Sequence, residues 1–134
     1  MAKREQLVGS DRYEDLASAY QTILVFLLDE TLRECGIKPK RKRRQVCQRF
    51  LYRHSLFHDQ SWLRTEGSVV YPLLGFAEHF QNVGMSPSAL GKILVDRDRS
   101  YSFDEYSWSV LRCVFDPDED DPPVEVGQVG DEPT

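Results

Sequence analysis

Residues 72–94 read Pro72-Leu73-Leu74-Gly75-Phe76-Ala77-Glu78-His79-Phe80-Gln81-Asn82-Val83-Gly84-Met85-Ser86-Pro87-Ser88-Ala89-Leu90-Gly91-Lys92-Ile93-Leu94. How this stretch is parsed decides the fold class. Pro72 suits the first turn of a helix, where its missing N–H would be unpaired in any case. Leu73, Phe76, Ala77 and Phe80 then recur at helical spacing, and Gly84 ends a helix over 73–83. Ser86 caps a further short helix, with Pro87 at its first position and Leu90, Ile93 and Leu94 behind it. On this parse the middle of the chain is helical.

Outward on the N-terminal side, Asp11 and Glu14 have capping-box spacing, and Gly36 with Pro39 behind it marks a helix end. The spacing predicts a helix over 11–35, with Leu16, Tyr20, Ile23, Leu24, Leu27, Leu28 and Thr31 on one face. Val25, Phe26 and Leu32 broaden that face, so this helix is central to the fold or half of a dimer interface. A second helix is expected over 40–61. Val46, Phe50, Leu51, Phe57 and Trp62 define its apolar side, which also holds Cys47, His54 and His58. Lys42, Arg49 and Arg53 share the opposite side, near Tyr52 and Leu56. Residues 61–67 read as a connection and 68–71 as one short strand.

On the C-terminal side, Ser102 with Glu105 opens a fifth helix that runs to about Phe115. Asp116-Pro117 ends the folded part. The expectation is therefore an all-α protein of about five helices in one compact bundle-like domain over 1–115. A single short strand near 68–71 is the exception. The tail over 116–134 holds eight acids, no base, and prolines at 117, 122, 123 and 133. Such a composition cannot offset its ordering entropy, so a disordered acidic tail is expected.

Among the 134 residues, 17 Lys and Arg stand against 22 Asp and Glu, a net charge of −5. That average argues against an anionic partner, but its distribution argues the reverse. Residues 38–53 carry eight bases and no acid: Lys38, Lys40, Arg41, Lys42, Arg43, Arg44, Arg49 and Arg53. The eight-acid tail matches this block in size. Cations at a helix start oppose the macrodipole, so a run of five there suggests charge kept for a ligand. Clustered Lys and Arg bind phosphate backbones by releasing condensed counterions, which makes DNA or RNA the expected partner and the tail its competitor. The same run also fits nuclear import.

The alternative is a protein-interaction module or homodimer, using the apolar helix 11–35 or setting the basic helix against an acidic protein partner. The longest unbroken apolar run is six residues, 23–28, where a bilayer span needs about 20, so no membrane association is expected. Met1-Ala2-Lys3-Arg4-Glu5 lacks an apolar stretch behind it, so no signal peptide is expected. Cys35, Cys47 and Cys113, without paired spacing, suggest buried free thiols in a reducing, cytoplasmic compartment.

Three further patterns bear on chemistry. Residues Gly84-Met85-Ser86-Pro87-Ser88-Ala89-Leu90 leading to Gly91-Lys92-Ile93-Leu94 resemble the turn and recognition helix of helix-turn-helix regulators. That resemblance implies DNA contact through Lys92. His54 and His58, at i and i+4, have the spacing to chelate one metal ion such as zinc, with satisfied core histidines as the alternative. No cofactor is otherwise expected. The chain has no G-x-S-x-G elbow, no phosphate-cradling glycine loop and no H-E-x-x-H, so a non-enzymatic binding protein is expected.

Overall fold

The computed structural model describes residues 7–78, 91–96 and 107–119. Their order is β1 (Leu7–Ser10), α1 (Tyr13–Glu34), α2 (Lys40–Gln60), β2 (Leu63–Thr65), β3 (Ser68–Val70), β4 (Phe76–Ala77), β5 (Ile93–Asp96) and α3 (Ser107–Phe115). Three helices and two small sheets make a mixed α/β protein, which corrects the expected all-α bundle of five helices.

The two long helices form where their signals place them. The α1 end has the Schellman pattern, with Gly36 N–H bonded to Arg33 O (3.0 Å) and Ile37 N–H to Leu32 O (2.9 Å). Pro39 occupies the N-cap of α2 without a side-chain cap. Their buried faces match expectation only in part: Val25, Cys47 and Leu51 are buried as expected, and other positions are not. On α1 the buried residues are Tyr13, Ala17, Gln21, Val25 and Asp29, in steps of four, while Tyr20 and Leu27 stay exposed. On α2 they are Arg43, Cys47, Leu51 and Ser55, whereas Phe50, Phe57 and Trp62 are exposed.

The decisive stretch is extended where it is described. β4 pairs antiparallel with β5, Phe76 opposite Leu94 and Ala77 opposite Ile93. β1 pairs with the other edge of β5 in parallel, from Leu7 opposite Ile93 to Ser10 opposite Asp96. The order is β1-β5-β4. The expected helices are overturned where they are described, at 73–78 and at Ile93 and Leu94, and with them the helical reading on which the helix-turn-helix resemblance rests. Residues 79–90, which hold its turn, lie outside the described residues.

Two local causes favour strands here. Ile93-Leu94-Val95 is rich in β-branched side chains, which suit a pleated surface better than a helix. Gly75 lies so close to β5 that a Cβ there would stand 2.9 Å from Ile93 Cγ2 and 3.4 Å from Leu94 O. Only a residue without a side chain permits that approach. The short strand expected near 68–71 is present as β3, and it has a partner, β2, in register from Leu63 opposite Val70 to Thr65 opposite Ser68. Glu66-Gly67 make the connecting turn, with Gly67 at φ 76°, a conformation glycine adopts without cost.

The described residues divide into two compact units. One joins 7–16 with 74–78 and 91–96, and the other joins 17–73 with 107–119. In the first, Leu94 is the buried centre of the sheet, and Tyr13 is buried with its hydroxyl donating to Leu74 O (2.7 Å). The Tyr13 ring meets Phe76 at 5.7 Å and 59°. In the second, Val25, Cys47, Leu51, Val110, Leu111 and Phe115 form the core, flanked by Leu28, Leu32 and Val114. The Ser102–Glu105 capping box and residues 120–134 of the tail fall outside the described residues. No helix among the described residues is long and apolar enough to cross a membrane.

Candidate functional site

The eight bases of the block do not share one fate. Arg43 is turned inward: its Nε lies 2.6 Å from Asp29 Oδ1, and both side chains are about as buried as the core around them. Its Nη1 donates to the carbonyls of Ile37 (3.3 Å) and Lys38, tying the α1–α2 connection to the helix it precedes. Asp29 also accepts from Arg33 at 3.2 Å. Arg43 is thus engaged by the fold, and its place in the expected binding set is a correction the geometry imposes.

Lys40 and Arg44 are engaged differently. Asp116, the first acid of the tail, follows α3 directly and sets its Oδ1 3.4 Å from Lys40 Nζ and its Oδ2 2.7 Å from Arg44 Nη1. This carboxylate supplies at the start of α2 the negative charge that the helix's own first turn lacks. The pairs are half-exposed, a setting in which an ion pair contributes about 0–1 kcal/mol. Asp118 pairs in turn with Arg112 of α3 at 3.1 Å.

Arg41, Lys42, Arg49 and Arg53 remain, all exposed on α2 with no ion pair among the described residues. Lys38 is exposed in the connection before α2. Two adjoining open grooves run along this side. One, of about 550 Å³, is lined by Pro39, Arg41, Lys42, Arg44, Gln45 and Gln48. The next, of about 700 Å³, is lined by Gln45, Gln48, Arg49, Tyr52, Arg53 and Leu56. Gln45 and Gln48 belong to this face and were missed by reasoning from charge. The signal that finds them is helical phase, since both project between the cations at 100° per residue. Lys92 lies in the other unit, exposed just before β5, with its carbonyl accepting from Glu78 N–H at 3.2 Å.

His54 and His58 are half-buried on α2. His54 stacks on Phe50 at 5.7 Å, and burial followed by the His58 charge lowers its pKa from the usual histidine value. His58 Nδ1 lies 3.1 Å from Asp59 Oδ1. Among the described residues no three His, Cys, Asp or Glu side chains gather as a metal set. Of the free cysteines, Cys35 is exposed, contrary to expectation, Cys113 is half-buried, and Cys47 is buried. Burial, helped by Asp29 and opposed by Arg43, pushes the Cys47 thiol up to about 11. A thiol so raised is a packing group and a poor nucleophile.

The chain matches no known protein family, no curated protein and no solved structure.

Proposed function

We propose that the protein is a non-enzymatic binder of nucleic acid, which it engages through the outer face of α2, with the acidic tail as an intramolecular competitor. One observation carries the reading. After the fold has engaged Arg43, Lys40 and Arg44, four cations still line a single exposed side of α2, and that helix carries no acid before Asp59. A solvated structural helix would gain from interspersed acids, whereas this side retains its repulsion. Phosphate contact would relieve it and release counterions. Asp116 supports the competitor role, because its half-exposed pairs are weak enough for a phosphate to displace.

The test titrates labelled DNA and RNA with the full chain at two salt concentrations. Affinity is expected to fall steeply with salt, and Lys42→Gln with Arg53→Gln to flatten the dependence by about two contacts. Asp116→Asn is expected to tighten binding. Absence of binding at low salt, or salt-independent affinity, overturns the proposal.

A second reading rests on α1, where exposed Tyr20 and Leu27 lie in one apolar row with half-buried Leu16 and Ile23. A homodimer would cover that row. Sedimentation at two concentrations decides it, and a concentration-independent monomer removes it.

A further inference from the structure

From the arrangement along α2 we infer that the nucleic acid is duplex DNA, that α2 is seated in its major groove, and that base edges face the crest of the helix. The inference rests on the nucleic-acid reading above and specifies its ligand. Projected at 100° per residue, Gln45, Arg49, Tyr52 and Leu56 fall within about 60° of one another. They lie on the exposed side of the helix opposite Arg43, Cys47 and Leu51, with Leu56 half-buried, and share the open surface along 45–56 with Gln48 and Arg53. Arg41 and Gln48 flank the line on one side, and Lys42 and Arg53 flank it on the other.

The chemistry of the two positions differs. Cations stand on both shoulders, where the phosphates of two strands would lie. The crest instead carries an amide, a guanidinium, a phenol and an apolar side chain. A surface that held only a phosphate line would gain nothing from Gln45 at its centre. In the major groove an amide pairs bidentately with adenine N7 and N6, a guanidinium with guanine O6 and N7, and an apolar side chain meets the thymine methyl. Gln45, Arg49 and Leu56 supply one of each.

Dimensions agree with this assignment. From Arg41 to Leu56 the helix rises roughly 22 Å, and its width with side chains, about 10–12 Å, fits a groove about 12 Å wide. The major groove of A-form RNA is too narrow for the same helix. Gln45, Arg49 and Tyr52 are exposed and Leu56 is half-buried, so the crest is accessible from Gln45 to Tyr52 and in part at Leu56. Asp116 lies behind the shoulder at Lys40 and Arg44 and leaves the crest open.

The experiment selects binding sites for the full chain from a pool of duplex DNA with a randomised centre. The selected sequence is then titrated as duplex DNA, as the equivalent RNA duplex and as single strands, at two salt concentrations. A consensus is expected, with at least tenfold preference for the DNA duplex over the RNA duplex. Gln45→Ala is expected to relax preference at one base position while leaving the salt slope unchanged. Lys42→Gln is expected to keep the consensus and lower the slope by about one. Circular dichroism of each variant confirms that the helices are retained. Equal affinity for both duplexes, or selection without a consensus, overturns groove reading while leaving polyanion binding intact. Absence of binding to every probe at low salt overturns both.

Discussion

Asp29→Asn removes a charge and keeps the side chain's shape, at a site where the charge has a defined partner. Asp29 Oδ1 accepts from Arg43 Nε at 2.6 Å, and the two side chains are 6% and 7% exposed. Removing one member of a buried pair costs about 3–5 kcal/mol, because the survivor is left charged and desolvated. Arg43 would retain the carbonyls of Ile37 and Lys38, and the substituted amide could still accept one bond, which places the loss near the lower end of that range. Measured against a total of about 5–15 kcal/mol, roughly 3 kcal/mol is a large fraction and corresponds to about 10 °C in melting temperature. Arg43→Met should cost less, since Asp29 keeps Arg33 at 3.2 Å and methionine replaces the buried stem. The double variant Asp29→Leu with Arg43→Met should recover much of the loss, as apolar replacements of buried pairs commonly do. Urea unfolding of the parent and the three variants ranks these losses. A second arm bears on the proposed function: Arg43→Met should leave the salt dependence of the proposed nucleic-acid binding unchanged, whereas Arg53→Gln should lower it. Asp29→Asn within 1 kcal/mol of the parent, or Arg43→Met flattening the salt slope like Arg53→Gln, refutes the assignment of Arg43 to the fold.

Gly75→Ala should destabilise the protein by about 1–3 kcal/mol, because the new methyl would meet Ile93 Cγ2 at 2.9 Å and must displace β5; a denaturation midpoint unchanged from the parent contradicts the close approach. Thiol labelling at pH 8 should modify Cys35 quickly and Cys47 only at the rate of unfolding, as followed by mass spectrometry over time. Tyr13 should ionise late: burial, with Asp96 adding to it, raises its pKa from 10.0 to about 12. A pKa raised by folding favours the protonated form, so this contribution to stability is intact below pH 10 and is lost as pH rises from 10 to 12. Absorbance titration of Tyr13→Phe against the parent should remove the late step.

The long helices were legible because their signals are local. Gly36, Pro39 and the periodicity of α1 and α2 act within one or two turns, and both helices stand within two residues of expectation. The strands were not, for a reason of range. β5 is held by Leu7–Ser10 on one edge and Phe76–Ala77 on the other, and the parallel pair with β1 joins residues far apart in the chain. Short apolar runs such as Leu73-Leu74 and Ile93-Leu94-Val95 satisfy helical and extended spacing alike. The partner decides between them, and no local pattern names the partner. The buried faces misled for a related reason. Ranking by hydrophobicity placed Phe50 and Phe57 inside and Arg43 outside. A guanidinium that meets Asp29 and two carbonyls is well satisfied indoors, however.

The same distinction alters what the matching charges of block and tail mean. Counted along the chain, eight bases face eight acids, and a simple reading neutralises one with the other. In space the pairing is local. Arg43 is neutralised by Asp29, an acid of the scaffold, while among the described tail acids Asp116 reaches Lys40 and Arg44 together. Both contacts act at the first turn of α2, where helix dipole and cation run oppose each other most. They therefore relieve the helix of the charges it tolerates least. The charges left over begin at Arg41 and continue for more than three turns, along the side away from the core. Those cations make no ion pair among the described residues, so their mutual repulsion is not offset there, and the nucleic-acid proposal rests on that face. Asp116 acts from one position on both Lys40 and Arg44 and secures the start of α2, which is why Asp116→Asn tests the helix start and the proposed competition together.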